Sequence, residues 1–108
     1  MSAIRHGMRG RIYAAIHEST QSEKYFVIVS NNRRNLALPT ALAVRLTTAT
    51  KPSLTSIVEL SQGDPLVGRV LCDDITELYH DELRRDLGAV TPRTMQSIND
   101  GLRAALGL

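Results

Sequence analysis

The residues able to do chemistry in this chain are basic and hydroxyl side chains rather than a familiar catalytic motif. Its 108 residues contain no P-loop, no zinc ligand set and no Gly-x-Ser-x-Gly elbow, and its three histidines (His6, His17 and His80) are scattered. One reaction that needs few groups is metal-independent cleavage of RNA, in which the substrate's own 2′-hydroxyl attacks. The protein then orients the phosphate, moves protons and neutralises developing charge. Basic and hydroxyl side chains at neighbouring strand ends suffice.

Charge is divided unevenly along the chain, although the net charge is only +2. Up to residue 70 there are nine Lys or Arg against four acids, whereas the remainder has four arginines against seven acids. The first part therefore carries +5 and the second −3. A basic surface suits a polyanion, because Lys and Arg bound to phosphates release condensed counterions. A soluble surface with uneven charge is the alternative that charge alone leaves open.

The length of the chain predicts a single domain over residues 1–108. The lone cysteine, Cys72, lies in an apolar run, so we expect a small core side chain and no internal disulfide. No apolar run approaches the roughly 20 residues of a membrane span, and the N-terminus lacks the apolar region of a signal peptide. We therefore expect a cytoplasmic protein with no membrane association.

The apolar pattern predicts five short strands ahead of any helix. They cover residues 12–17, 25–29, 40–47, 56–60 and 69–72, with loop at 18–23 and turns at 31–35 and 62–65. In the third strand Leu42, Val44 and Leu46 share one face. The other face carries Ala41, Ala43 and Arg45.

A C-terminal helix follows, with Thr91 as N-cap, Pro92 at its first position and Gly107 at its end. One face carries an apolar stripe: Met95, Ile98, Leu102, Ala105 and Leu106. We expect this stripe to pack on the chain's own sheet, in preference to serving as an exposed partner-binding face. Residues 81–87 are interpreted as a short helix stopped by Gly88. The pattern indicates an α+β fold, a small, strongly coiled antiparallel sheet or barrel of about five or more strands with a short helix and a C-terminal helix.

Five segments, taken in order, carry a family resemblance. Residues 9–13 (RGRIY), 25–31 (YFVIVSN) and 39–47 (PTALAVRLT) look like successive strands of the MazF/PemK family of toxin ribonucleases. Residues 68–78 (GRVLCDDITEL), followed by 91–108, resemble the end of the same family. The chain is thus similar to that family over nearly its whole length from Arg9 onward.

The resemblance also implies site residues. The family's catalytic threonine falls on Thr47, and Lys24 stands where the arginine of a family Arg-Pro pair is typical. Lysine keeps the positive charge but lacks the planar fork that grips a phosphate. We expect Lys24 to stabilise phosphate charge or transfer a proton and Thr47 to orient the scissile phosphate. Six further residues are RNA-binding candidates: Arg11, Arg33, Arg34, Arg45, Thr48 and Asp74.

The family resemblance implies the toxin of a type II toxin–antitoxin system, a homodimeric endoribonuclease that cleaves single-stranded RNA, inhibits growth and is held inactive by a cognate antitoxin. It implies no metal and no other cofactor. Two alternatives stay open: a CcdB-like toxin that inhibits gyrase without cleaving anything, and a catalytically lapsed RNA-binding member. At the site itself, Lys24 is alternatively a solvated strand-edge lysine and the Arg33–Arg34 pair a solvated surface.

Overall fold

The structure, a computed structural model, describes residues 4–19 and 21–108. Within them lie, in chain order, β1 (Arg11–Ile16), β2 (Glu23–Ile28), α1 (Asn32–Ala37), β3 (Thr40–Thr47), β4 (Ile57–Glu59), β5 (Arg69–Tyr79), a 3-10 turn (His80–Glu82), β6 (Leu83–Ala89) and α2 (Pro92–Leu106). Thr20, in the loop predicted between the first two strands, falls outside the described residues.

All six strands belong to one antiparallel sheet, in the order β4-β5-β3-β2-β1-β6. The sheet is open, with β4 and β6 at its edges. At its centre Val27 of β2 pairs with Ile12 of β1 on one side and with Val44 of β3 on the other. The predicted α+β class is confirmed, a small antiparallel sheet with a short helix and a C-terminal helix.

Both faces of the sheet are buried, because alternate residues of the central strands point to opposite sides. One face carries Ile12, Val27 and Val44, and Ile98 of α2 covers it. The opposite face carries Tyr13, Phe26 and Ala43, among others. Two apolar faces on the same strands explain why the sequence of β2 is apolar at consecutive positions instead of alternating.

Helix α2 has the bounds that the sequence predicts. The Thr91 side chain accepts the Thr94 N–H, and Gly107 ends the helix in the left-handed conformation at φ 71°. The expectation that the stripe packs on the chain's own sheet holds for three of its residues, Met95, Ile98 and Leu102. Leu106, in contrast, is exposed, because it lies past the edge of the core in the last turn.

Cys72 is the small core side chain that was expected. It is fully buried beneath α2, and its Sγ faces the carbonyl oxygen of Ile98. Burial, with a smaller contribution from the charge of Asp73, raises the pKa of the thiol to about 11. The thiol is therefore neutral at physiological pH and has little nucleophilic character.

Two segments differ from the prediction. Residues 81–87 were expected to form a helix, but only the 3-10 turn is helical and Leu83–Ala89 forms β6, which pairs with β1. Pairing with an otherwise unpaired edge outweighs the weak local helix preference. The predicted turn at 31–35 instead leads into α1, because the Asn31 side chain accepts the Arg34 N–H at 2.8 Å and caps a helix.

Strand β5 is also longer than the predicted strand at 69–72. It continues to Tyr79 because β3 pairs with it along its full length, from Thr40 opposite Tyr79 to Thr47 opposite Arg69. The register shifts between Val44 and Arg45, so residues 72–74 bulge out of the ladder.

Candidate active site

A cleft of about 400 Å³ opens where the start of β2 meets the end of β3 and the loop before β5. Because β2 and β3 are antiparallel, the first residues of one lie beside the last residues of the other. The cleft is lined by Glu23, Lys24, Tyr25, Arg45, Leu46, Thr47, Thr48, Leu66 and Val67.

Lys24 and Thr47, the two residues predicted to be catalytic, line this cleft together. The register pairs Tyr25 with Leu46, so Lys24 and Thr47, the next residue of each strand, lie at the same end of the β2–β3 ladder. The Thr47 hydroxyl oxygen accepts the Ala49 N–H at 3.1 Å. Its own O–H is then available to donate to an oxygen atom in the cleft. An ammonium group and a hydroxyl donor are thus presented to the same small volume.

Arg45 adds a second positive charge to the cleft. It lies two residues before Thr47 in β3 and therefore points to the same face. Its guanidinium carbon lies 6.0 Å from the centre of the Phe26 ring, at the outer limit of a cation–π contact. Its Nε is buried and has no hydrogen-bond partner among the described residues. A guanidinium that lines the cleft is suited to an anionic oxygen.

The backbone of Thr47 is fixed by Gly68. A Cβ on Gly68 would lie 2.6 Å from the Thr47 carbonyl oxygen, and the φ of Gly68 is +138°. Only glycine combines this backbone conformation with so close an approach. The loop before β5 therefore fixes the end of β3 at the cleft.

Glu23 brings a carboxylate to the cleft, but its charge is paired. Arg85 of β6 approaches it at 2.5 Å. The hydrogen bond from Arg85 to Glu23 is the main reason that the pKa of Arg85 is raised, with the Tyr25 side chain as a second cause. Lys24 and Arg45 therefore dominate the electrostatic character of the cleft.

The comparisons with known proteins agree with this geometry. The PemK-like, MazF-like toxin family of type II toxin–antitoxin systems matches residues 8–106. The chain belongs to this family. Endoribonuclease MazF1 of Mycobacterium bovis and Endoribonuclease MazF4 of Mycobacterium tuberculosis are each 44% identical to it over 101 residues, which cover 94% of this chain and 93% of each relative. A solved mycobacterial endoribonuclease in complex with its cognate antitoxin matches with a TM-score of 0.87 at 44% identity, over 94% of this chain and 95% of that chain.

Membership of the MazF-like family confirms the prediction of an endoribonuclease toxin of a toxin–antitoxin system. The same matches do not favour the gyrase-inhibiting alternative. They establish the family and the fold, whereas the roles of individual residues depend on the cleft.

The structure brings some of the predicted RNA-binding residues of this MazF-like toxin to the cleft and leaves others elsewhere. Thr48 and Arg45 line it. Arg11 instead forms an ion pair with Asp86 at 2.9 Å on the β1–β6 side of the sheet. That hydrogen bond is the main reason that the pKa of Arg11 is raised.

Arg33 and Arg34 lie in α1, at the far end of β3. Arg34 donates to the carbonyl oxygen of Thr40 at 2.7 Å. Thr40 starts β3 and Thr47 ends it, so at about 3.3 Å per residue the two are separated by roughly 23 Å. Asp74 lies in the bulge of β5 and is exposed, outside the set of residues that line the cleft.

Five residues that line the cleft were not predicted as site residues from the sequence: Glu23, Tyr25, Leu46, Leu66 and Val67. Tyr25 carried a signal, since it is the partner of Lys24 at the position of the family's Arg-Pro pair. Leu66 and Val67 carried a weaker one, an apolar pair in a loop between Pro65 and Gly68.

None of the three histidines lines the cleft. His80 is buried, where its Nδ1 accepts the Gly7 N–H at 3.0 Å.

Across residues 4–19 and 21–108, no three His, Cys, Asp or Glu side chains are grouped so that they could hold a metal ion. In the same part of the chain, no helix is long and apolar enough to cross a membrane.

Proposed function

We propose that this MazF-like toxin cleaves single-stranded RNA without a metal ion, in the cleft between β2, β3 and the loop before β5. The observation that carries the proposal is the presence of Lys24, Arg45 and Thr47 in one cleft. In the reaction, the ribose 2′-oxygen bonds to the adjacent phosphorus, the bond from phosphorus to the 5′-oxygen breaks, and a proton passes from the 2′-oxygen to the 5′-oxygen. The products end in a 2′,3′-cyclic phosphate and a 5′-hydroxyl.

Lys24 and Thr47 have different roles in this proposal. The Lys24 ammonium stabilises the negative charge that develops on the phosphate or transfers a proton, and the Thr47 hydroxyl orients the phosphate by donating to one of its oxygens. Donors placed in advance where charge develops stabilise the transition state more than the ground state. Gly68 supports this arrangement because it fixes the Thr47 backbone.

Arg45 assists binding of the substrate, and Thr48 lies at the rim of the same cleft. The Phe26 ring limits the freedom of the guanidinium, so less entropy is lost when a phosphate binds. Together with Lys24, Arg45 supplies the local positive charge that the uneven division of charge along the sequence predicts.

We further propose that the chain acts as a single domain of a cytoplasmic homodimer, inhibits growth through its action on RNA, and is held inactive by a cognate antitoxin. The related mycobacterial endoribonuclease has been solved with its cognate antitoxin, which supports such a partner. Light scattering on the purified protein measures its mass directly, and a monomer across the micromolar range would contradict the homodimer.

The chemistry is tested with a DNA strand that contains ribonucleotides only at the sequence cleaved in a long RNA, incubated in EDTA. We expect cleavage next to a ribonucleotide, with a cyclic phosphate and a 5′-hydroxyl identified by mass spectrometry. Replacing that one ribonucleotide by its 2′-deoxy form should abolish cleavage. Cleavage that persists without the 2′-hydroxyl would contradict the mechanism, and binding without any cleavage would indicate the catalytically lapsed alternative.

A further inference from the structure

The loop of residues 61–68 supplies one wall of the cleft, and one carboxylate links it to the start of α2. Asp64 accepts hydrogen bonds from the Ser61 N–H at 2.7 Å, the Thr91 N–H at 2.7 Å and the Thr94 hydroxyl at 2.6 Å. Ser61 belongs to the loop, whereas Thr91 and Thr94 form the start of α2. Asp64 therefore ties the 61–68 loop to α2.

The charge state of Asp64 agrees with this arrangement. Burial by itself would raise the pKa of the Asp64 carboxyl, but the hydrogen bonds from Thr94, Thr91 and Ser61 together outweigh it and lower the pKa. Asp64 is thus a carboxylate at neutral pH, and all of these contacts are donated to it.

Backbone contacts fix the remainder of the 61–68 loop. The Leu60 N–H donates to the Gly68 carbonyl oxygen at 2.9 Å and closes the loop at its base. Pro65 packs against β6, where a Cβ on Gly88 would lie 3.2 Å from the proline ring. The loop is thus held at Ser61 and Asp64, at Pro65, and at its base between Leu60 and Gly68. The side chains that it presents therefore occupy defined positions.

Those side chains are Leu66 and Val67. Leu66 packs against the core beneath α2, whereas Val67 is 81% exposed and lines the same cleft as Lys24 and Arg45. A single exposed apolar residue is ordinary on a protein surface. Val67, however, stands on an anchored loop and shares its cleft with Leu66 and with two cations. The cleft therefore combines a cationic part and an apolar part.

We propose that Leu66 and Val67 form a base-binding wall, which takes the face of a nucleobase adjacent to the phosphate held by Lys24 and Arg45, with Asp64 as the positioning residue of this wall. The inference deepens the proposed function and rests on it. A nucleotide carries an anionic phosphate at one end and a flat, weakly polar ring at the other, so the charge and polarity of the two parts of the cleft match it.

The chemistry of the wall also predicts how selective it is. Neither Leu66 nor Val67 has a side-chain group that could hydrogen-bond to a base edge, and base edges carry the sequence information. Contact with the face of the ring is available from every base. The base-binding wall therefore adds affinity for any nucleotide at that position and places the phosphate, while sequence preference is set elsewhere in the cleft.

The test uses a short single-stranded RNA with 2′-O-methyl riboses, which cannot be cleaved by 2′-hydroxyl attack, either complete or with one abasic position moved along the strand. Val67→Ala should weaken binding of the complete strand by roughly fivefold, the effect of partly burying two fewer methyl groups. When the abasic position coincides with the wall, native protein and Val67→Ala should bind equally. Leu54→Ala is the matched control, because Leu54 is an exposed leucine outside the cleft.

Asp64→Asn tests the positioning role, with Thr94→Val as a second variant that removes a single donor to the carboxylate. Both should weaken binding of the complete strand while leaving binding of that abasic strand unchanged, a difference that a general loss of stability would not produce. If Val67→Ala affects the complete and abasic strands equally, or affects neither, the base-binding wall is overturned. Equal losses for both strands in both Asp64-site variants would overturn the positioning role.

Cleavage of ordinary RNA by the same proteins separates the inference from the proposed function. If native protein cleaves RNA but Val67→Ala has no base-dependent effect, the ribonuclease proposal is supported and the base-binding wall is contradicted. If Val67 contributes base-dependent binding but no cleavage occurs, the base-binding wall is supported and the ribonuclease proposal is contradicted. Absence of binding to any strand by native protein would overturn both.

Discussion

The Arg45 guanidinium carbon lies 6.0 Å from the centre of the Phe26 ring, and the two residues are paired across the β2–β3 ladder. The pairing places a cation at the cleft, where we propose that Arg45 contacts a phosphate. Arg45→Met should weaken RNA binding and reduce the slope of log affinity against log salt by about 0.7, one contact to a single strand. Fluorescence anisotropy of a non-cleavable RNA across a potassium chloride series measures this slope. An unchanged slope would contradict the contact, and Arg103→Met, an exposed arginine of α2, is the control.

Lys24 should be replaceable by another cation if its main role is to stabilise charge. Lys24→Arg is expected to keep the cleavage rate within about tenfold of native, whereas Lys24→Gln should lose about a hundredfold or more. Single-turnover rates on one labelled RNA measure both, with circular dichroism to verify folding. An arginine variant as inactive as the glutamine variant would show that charge alone is insufficient and that proton transfer by the lysine is required.

Asp64 should stabilise the fold in a pH-dependent manner. Its folded-state pKa is lowered, so its stabilisation is fully present above the ordinary carboxyl pKa near 4 and is lost as pH falls through the lower folded value. Asp64→Asn should therefore reduce the free energy of unfolding by about 1 kcal/mol at pH 6, and by less at pH 3. Urea denaturation at the two pH values gives both differences. A pH-independent difference would exclude the charged form as the stabilising species.

Gly101 marks the closest packing of α2 on the sheet. A Cβ there would lie 2.7 Å from the Cys72 Sγ and 3.0 Å from the Thr55 carbonyl oxygen. Gly101→Ala should lower the free energy of unfolding by about 1–2 kcal/mol, because overpacking outweighs the gain in helix propensity of about 1 kcal/mol. Urea denaturation beside Ser97→Ala, an exposed position in α2, isolates the packing effect. An unchanged or raised stability for Gly101→Ala would contradict this packing.

The parts of the fold that were predicted are those with local signals. Strand β3 has the predicted bounds because Pro39 precedes it and apolar residues occupy both of its faces. Helix α2 also has its predicted bounds, because Thr91, Pro92 and Gly107 mark its ends. Strand β6 was not predicted because its charged residues do not show a strand pattern. It is stabilised by pairing with β1, a contact between segments far apart in the chain.

The candidate site also contains residues that were predicted from the sequence and residues that were not. Lys24 and Thr47 were nominated through family resemblance, and only the register of β2 and β3 shows that they share a cleft. Leu66 and Val67 were missed because their position depends on Asp64 contacting the start of α2, which the sequence does not display. Arg34 was predicted to bind RNA because of its charge, yet its guanidinium donates a hydrogen bond to the Thr40 carbonyl oxygen at the far end of β3.

We propose that the cleft holding Lys24 and Thr47 cleaves RNA without a metal ion. The most direct measurement incubates purified native protein, Lys24→Ala and Thr47→Ala with a long single-stranded RNA in EDTA and maps the cleaved ends. We predict cleavage at discrete sites by native protein and its loss in both folded variants. Intact RNA with native protein, or undiminished cleavage by either variant, would contradict it.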